Sequence, residues 1–175
     1  MHNLWFHFDK RDEVLSIFVS GDITGEHAED FFNELRDSLP IERIDLRINS
    51  MGGCAFTGTA IYNRLAGIAR EGTPVHASVE GVCSSAAAII AMSADEVTIP
   101  ESGFMHVHMP TGDDKRLVDL FSATFVRIIA KRTGRSRDEI ATLLANGRWL
   151  NGRECLWERL ADTIVEPVLV EGENV

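Results

Sequence analysis

A 175-residue chain with 45% hydrophobic and 25% charged residues has ordinary globular composition, which excludes a disordered or fibrous protein. Its 27 acidic residues against 17 basic ones leave a net charge of −10, so the chain as a whole lacks the basic footprint of a duplex nucleic-acid binder. Three widely spaced cysteines, Cys54, Cys83 and Cys155, form no CxxC pair, which argues against a zinc site or disulfide framework and for a reducing compartment.

This length buries enough surface to fold as one domain, expected to span residues 1–175. No stretch reaches the ~18 uninterrupted apolar residues of a membrane span. Charges precede any apolar run of signal-peptide length at the amino terminus, so a cytoplasmic location is expected.

Leu4–Phe8 is aromatic-rich and strand-like, residues 9–12 are a polar turn, and Val14–Val19 is a second strand, together predicting a hairpin. Apolar residues at Ala28, Phe31, Phe32, Leu35 and Leu39 have helical spacing, with Thr24 as the expected cap. Ile44, Leu46 and Ile48 alternate with polar residues as a strand, and residues 49–53 are predicted to turn. A helix face follows at Ala60, Ile61, Leu65, Ile68 and Ala69, then a short strand over Val75–Val79. Ser84–Met92 reads as a buried helix, and Glu96–Ile99 and Phe104–His108 as strands.

Leu117, Leu120, Phe121, Thr124, Ile128 and Ile129 mark a long helix from about Lys115 to Arg132. Ser136 and Glu139 form a capping box for another through Leu144, and Thr163–Val170 is a last strand. Alternating strands and helices predict an α/β fold with a mostly parallel sheet. Chemistry in such sheets lies beyond the carboxyl ends of the strands.

Three features carry chemistry. Gly52-Gly53 after a strand can turn N–H groups toward an oxyanion, although a plain tight turn is the commoner use of paired glycines. The stretch lacks the Gly-Lys-Ser/Thr ending of a phosphate loop. Ser84 and Ser85, at a strand-to-helix turn, are candidates for a nucleophile, against the commoner role of serine as a helix cap. His106 and His108 share one strand face and suit a general base better than a metal, because no third ligand lies at helpful spacing.

Taken together these features resemble the proteolytic-subunit family of the Clp protease, and within it the phage head maturation (prohead) branch. The matching residues are Gly21-Asp22-Ile23, Ile48-Asn49-Ser50-Met51-Gly52-Gly53, Gly58, Ala60-Ile61-Tyr62-Asn63 and Gly81-x-x-Ser84-Ser85-Ala86-Ala87. They continue through Ile90-Ala91-Met92, Asp95-Glu96-Val97, Val107-His108-Met109-Pro110, Lys131 to Ser136, and Trp149-Leu150.

The resemblance implies a fold of repeated β-β-α units shared with crotonases, with an amino-terminal hairpin and a protruding handle helix in a region of about 110–135. It implies a serine endopeptidase with Ser85 as nucleophile, His108 as general base, and the N–H groups of Gly53 and Ala86 as oxyanion hole. No cofactor or metal is implied. The implied substrate is polypeptide, with a homo-oligomer, a heptameric ring or stacked rings, around it. An ATPase or a capsid or scaffold protein is the further partner it leaves open, in a bacterial or phage-infected host cytoplasm, with no nucleic acid and no membrane.

Two positions depart from the pattern. Met51 stands where the family has proline, and Gly147 where it has the acid of the triad. Asn146 is the tentative third member, and Asp138 and Asp162 are nominal substitutes. Gly147 also favours a second reading, a catalytically impaired assembly subunit. A crotonase-like acyl-CoA enzyme is a third, against which the Ser85–His108 pair argues.

Overall fold

The computed structural model describes residues 4–166. β1 (Phe6–Arg11) and β2 (Val14–Ile23) are followed by α1 (Ala28–Asp37), β3 (Arg43–Gly53), α2 (Ala55–Arg70), β4 (Val75–Ser84) and α3 (Ala86–Ala91). β5 (Glu96–Pro100), β6 (Phe104–Val107), α4 (Lys115–Thr133), α5 (Arg137–Asn146), β7 (Arg148–Asn151), α6 (Gly152–Trp157) and β8 (Thr163–Val165) complete the order. One sheet runs β1-β2-β3-β4-β5-β8, with β6 beside β4 and β7 beside β6. Among the described residues only the β1–β2 and β6–β7 pairs are antiparallel.

Alternation explains the strands. Leu15, Ile17 and Val19 on β2 and Ile44, Leu46 and Ile48 on β3 are buried, while the residues between them face outward or lie partly covered. The first hairpin turns on Asp12, whose φ of 54° suits a two-residue loop. Its aromatic strand is core: Phe31 on α1 is fully buried, stacks on Trp5 at 5.5 Å, and meets Phe6 and Phe8 edge-on at 5.3 and 5.1 Å.

β4 has two partners along its length. His76–Ser78 pair with β5, and Val82–Ser84 pair with β6. Two carboxylates tie the loops around this sheet. Asp95 accepts from the Val75 N–H at 3.0 Å, and Asp162 accepts from the Val97 N–H at 2.7 Å while pairing with Arg132. The capping box at Ser136 and Glu139 is formed as the sequence predicts.

The structure differs from the sequence reading at several points. Residues 49–53 belong to β3, because a register shift between Ile48 and Ser50 lets the strand continue past its neighbour. Thr24 does not cap α1; its hydroxyl bonds the Glu26 carbonyl, and His27, with φ of 63°, takes the cap position. The helix expected from Ser84 begins only at Ala86, since β4 runs through Ser84. β7 and α6 were not predicted, because four and six residues are too few to show a period. The last strand is described over Thr163–Val165, and the part of its predicted range from 167 onward lies outside the described residues.

Replacing Phe31 by Ala should destabilise the protein by about 3–5 kcal/mol, because it opens a cavity shared by four other aromatic rings. A urea unfolding curve of the Phe31→Ala variant checks this through a lower midpoint at unchanged slope.

Candidate active site

Three carboxyl ends of neighbouring strands supply the residues singled out from the sequence. Gly53 ends β3, Ser85 follows β4, and His108 follows β6. The Asn49-Ser50 pair braces this edge. Asn49 Oδ1 accepts from the Val82 N–H at 3.1 Å, fastening β3 to β4. Ser50 is buried; its Oγ donates to the Gly21 carbonyl at 2.6 Å and accepts from the Gly52 N–H at 3.0 Å.

Both glycines are required by geometry. Gly52 has φ of 95°, and a Cβ there would lie 2.7 Å from Ser85 Cβ and 3.0 Å from the Ala86 nitrogen. Gly53 has φ of 142°, and a Cβ there would collide with the Ile23 carbonyl. The backbone of β3 therefore approaches the Ser85-Ala86 turn more closely than any side chain would permit.

Ser85 sits in a sparsely populated conformation, φ 56° and ψ −123°. A non-glycine residue at positive φ is strained, and such strain is characteristic of a nucleophile held on a sharp strand-to-helix turn. Its side chain makes no capping bond to α3. Its backbone N–H instead donates to the His106 carbonyl at 2.8 Å. Ser84 has the opposite character: it is buried, and its Oγ lies 3.2 Å from His106 Nδ1.

His108 is half-buried, and its Nδ1 lies 2.7 Å from the Met109 carbonyl oxygen. A carbonyl can only accept, so Nδ1 carries the hydrogen and Nε2 is left with its lone pair. His106 has the reverse tautomer, because Nε2 donates to the Gly147 carbonyl at 3.2 Å and Nδ1 then accepts from Ser84. The two imidazoles are stacked, with centroids 4.7 Å apart and planes at 20°. Trp149, the cross-strand partner of His106 on β7, stacks on its other side at 4.5 Å and 7°. Burial holds His106 below the usual histidine range, and the neighbouring His108 acts in the same direction against the Gly147 bond.

A cavity of about 360 Å³ opens beside these groups. Gly53, Cys54, Ser85 and His108 line one part of it; Phe56, Phe121 and Phe125 give an apolar part. Asn146 is exposed at the end of α5, and no hydrogen bond joins it to His108 among the described residues. Asp162 is engaged by Val97 and Arg132, and Asp138 is exposed in the first turn of α5. Among the described residues no hydrogen bond joins Ser85 to His108 either. A group of three or more potential metal ligands is also absent among them.

A model of the Clp protease family matches residues 7–168. The chain belongs to the Clp protease family. Among solved structures it is similar to ClpP1 from Listeria monocytogenes, at 23% identity over 86% of this chain and 91% of that one, with a TM-score of 0.75. A point mutant of that ClpP1 gives 23% identity, 87% and 92% coverage and a TM-score of 0.77. These likenesses establish the ClpP fold, with its mostly parallel sheet and amino-terminal hairpin. The family makes a peptidase of the serine type the coarse functional assignment.

Sequence reasoning missed three participants at this site. Met109 acts through its carbonyl, to which any residue type contributes equally, so no side-chain signal could reveal it. Trp149 is part of β7, which was not read as a strand, although the Asn151–Glu154 capping box just after it was available as a boundary signal. Cys54 lines the cavity next to Gly53.

The three thiols should differ in reactivity. Burial pushes Cys83 up, and burial likewise raises Cys155 to about 12, so neither forms thiolate at neutral pH. Burial opposes ionisation of Cys54 too, but the hydrogen-bonding groups of Thr57 and Phe56 bring it below the usual thiol range. Treating the native protein with N-ethylmaleimide should therefore modify Cys54 alone and block the cavity; peptide mass mapping checks the site. A Gly52→Ala variant should fold with the β3–β4 edge displaced and lose reactivity at Ser85, read by fluorophosphonate labelling.

Proposed function

We propose that the chain is a serine endopeptidase in which Ser85 attacks a peptide carbonyl and His108 accepts its proton. The observation that carries this reading is the strained turn at Ser85, which presents an uncapped hydroxyl at the same cavity as His108 and the Gly53 backbone. The tautomer of His108 suits the role, because bare Nε2 is the atom that would take the proton. The N–H groups of Gly53 and Ala86 would hold the oxyanion, and the glycine pair keeps that space open. Water then releases the acyl-enzyme, with His108 returning its proton first to the leaving amine and then activating the water.

The apolar cavity wall fits an unfolded polypeptide better than a small polar molecule. α4 divides into two parts. Phe125, Val126, Ile128 and Ile129 are buried, whereas Leu117 and Leu120 near its start are exposed. That exposed end supports a handle that meets a second copy, hence a ring-shaped homo-oligomer enclosing the sites. We take residues 1–175 as one protease unit, cytoplasmic, acting on capsid or scaffold protein in head maturation, the role of the branch its motifs resemble.

A catalytically impaired assembly subunit is the second reading. Its support is that Gly147 offers no carboxylate and that Asn146 makes no bond to His108. Loss of the acid in a triad costs about 10⁴-fold when the imidazole tautomer is lost with it. Here a carbonyl holds the tautomer, so the peptidase reading expects a smaller deficit.

The two readings part in one assay. A fluorophosphonate should label the assembled wild-type protein at Ser85, with no label on Ser85→Ala or His108→Ala. A native oligomer that takes no label at any pH between 6 and 9 decides for the assembly subunit.

A further inference from the structure

We propose that His106, pinned between Trp149 and His108, is a positioning residue that orients the His108 imidazole in place of a triad carboxylate. This inference rests on the reading of Ser85 and His108 as nucleophile and base. A carboxylate in a serine triad does two things: it fixes the tautomer and orientation of the imidazole, and it stabilises the imidazolium once the proton arrives. The described residues place no carboxylate in hydrogen-bond contact with His108. The Met109 carbonyl selects the tautomer only while its bond to Nδ1 holds, and by itself it leaves the ring free to rotate about Cβ–Cγ and break that bond. A face-to-face contact stops this rotation.

His106 is built to supply that face. It is a link between strands at every level. Its carbonyl accepts the Ser85 N–H, so the same residue that faces the base also fixes the backbone of the nucleophile. Its ring is held at both nitrogens, by Ser84 Oγ on β4 and by the Gly147 carbonyl after α5. Its far face is covered by Trp149, whose ring is nearly parallel to it. The stack therefore runs indole, imidazole, imidazole, with the third ring free only at its outer side and at Nε2.

Ser84 and Gly147 acquire a purpose in this arrangement. Ser84 is too buried to meet a substrate, yet its hydroxyl is spent on His106 Nδ1. Gly147, the residue without a carboxylate, contributes its main-chain oxygen. The groups facing His106 are thus Ser84 from β4, the Gly147 carbonyl, Trp149 from β7 and His108 itself, none of them acidic. Burial keeps the ring neutral, which matters because a charged His106 would repel the imidazolium that forms at His108. A neutral ring flanked by an indole instead offers that cation a polarisable face.

Two measurements test this on the full-length protein: peptide hydrolysis resolved into kcat and KM, and the ¹⁵N shifts of the His108 ring nitrogens, assigned by difference with His108→Asn. His106→Ala should lower kcat by about 10²-fold, the cost of a displaced catalytic group, with KM nearly unchanged. In its spectrum His108 should change from the Nδ1–H form to a mixture of tautomers. His106→Phe, which restores the stacked face without the hydrogen bonds, should recover most of kcat and the single tautomer. Equal losses in the Ala and Phe variants with the wild-type tautomer retained would mark His106 as merely structural and overturn the proposal. So would an Ala variant with wild-type kcat. If no variant or wild type takes a fluorophosphonate label, the peptidase reading fails by itself. The ring shifts still decide this one: tautomer mixing in His106→Ala supports it, and an unchanged tautomer overturns it.

Discussion

The exchange of partners along β4 is the constraint on which the site depends. Its first half is paired with β5 and its last three residues with β6. A strand bonded to one neighbour throughout would carry its carboxyl end away from β6. Because β4 changes neighbour, Ser84 comes level with His106, and the next residue donates its amide to the His106 carbonyl. The nucleophile candidate is thus one peptide beyond a parallel ladder, and the base candidate two residues beyond its register partner. Backbone hydrogen bonds set this spacing, so it does not rely on contact between the two side chains themselves.

The other elements reinforce that edge. β3 reaches it through a register shift, braced by Asn49 to β4 and by Ser50 to β2. Glycine at 52 allows β3 to lie against the Ser85 turn. Strain at Ser85 is affordable because the chain on both sides is fixed, by the β6 carbonyl before it and the buried alanines of α3 after it. Far from the site, the aromatic cluster around Phe31 closes the hairpin over the opposite edge of the sheet.

Much of this was legible in the sequence. Alternation exposed the central strands, helical spacing exposed α1, α2 and α4, and the Ser136–Glu139 box gave the start of α5. Residue type and strand ends narrowed the candidates to Ser84 or Ser85, His106 or His108 and the Gly52-Gly53 pair, and the family resemblance then singled out Ser85, His108 and Gly53. What was not legible follows from physical scale. β7 is too short for periodicity, and without β7 Trp149 has no place opposite His106. His106, read only as one of two candidate bases on a strand face, has its ring held by three partners distant in sequence, Ser84, Gly147 and Trp149, which no local pattern records. The Met109 carbonyl is invisible for a stronger reason, since every residue carries one.

Gly147 carries a last consequence. It caps α5 in the left-handed region at φ 57°, a conformation that asparagine and aspartate tolerate better than other side chains do. A Cβ built there would meet His108 Cβ at 3.7 Å and His106 Nε2 at 4.0 Å, ordinary van der Waals spacing. The fold has kept room for a side chain at this point while using only its main-chain oxygen. A carboxylate at this position would find space beside both imidazoles, but it would have to be held in a backbone conformation that strains a residue bearing a side chain, a cost that the glycine avoids.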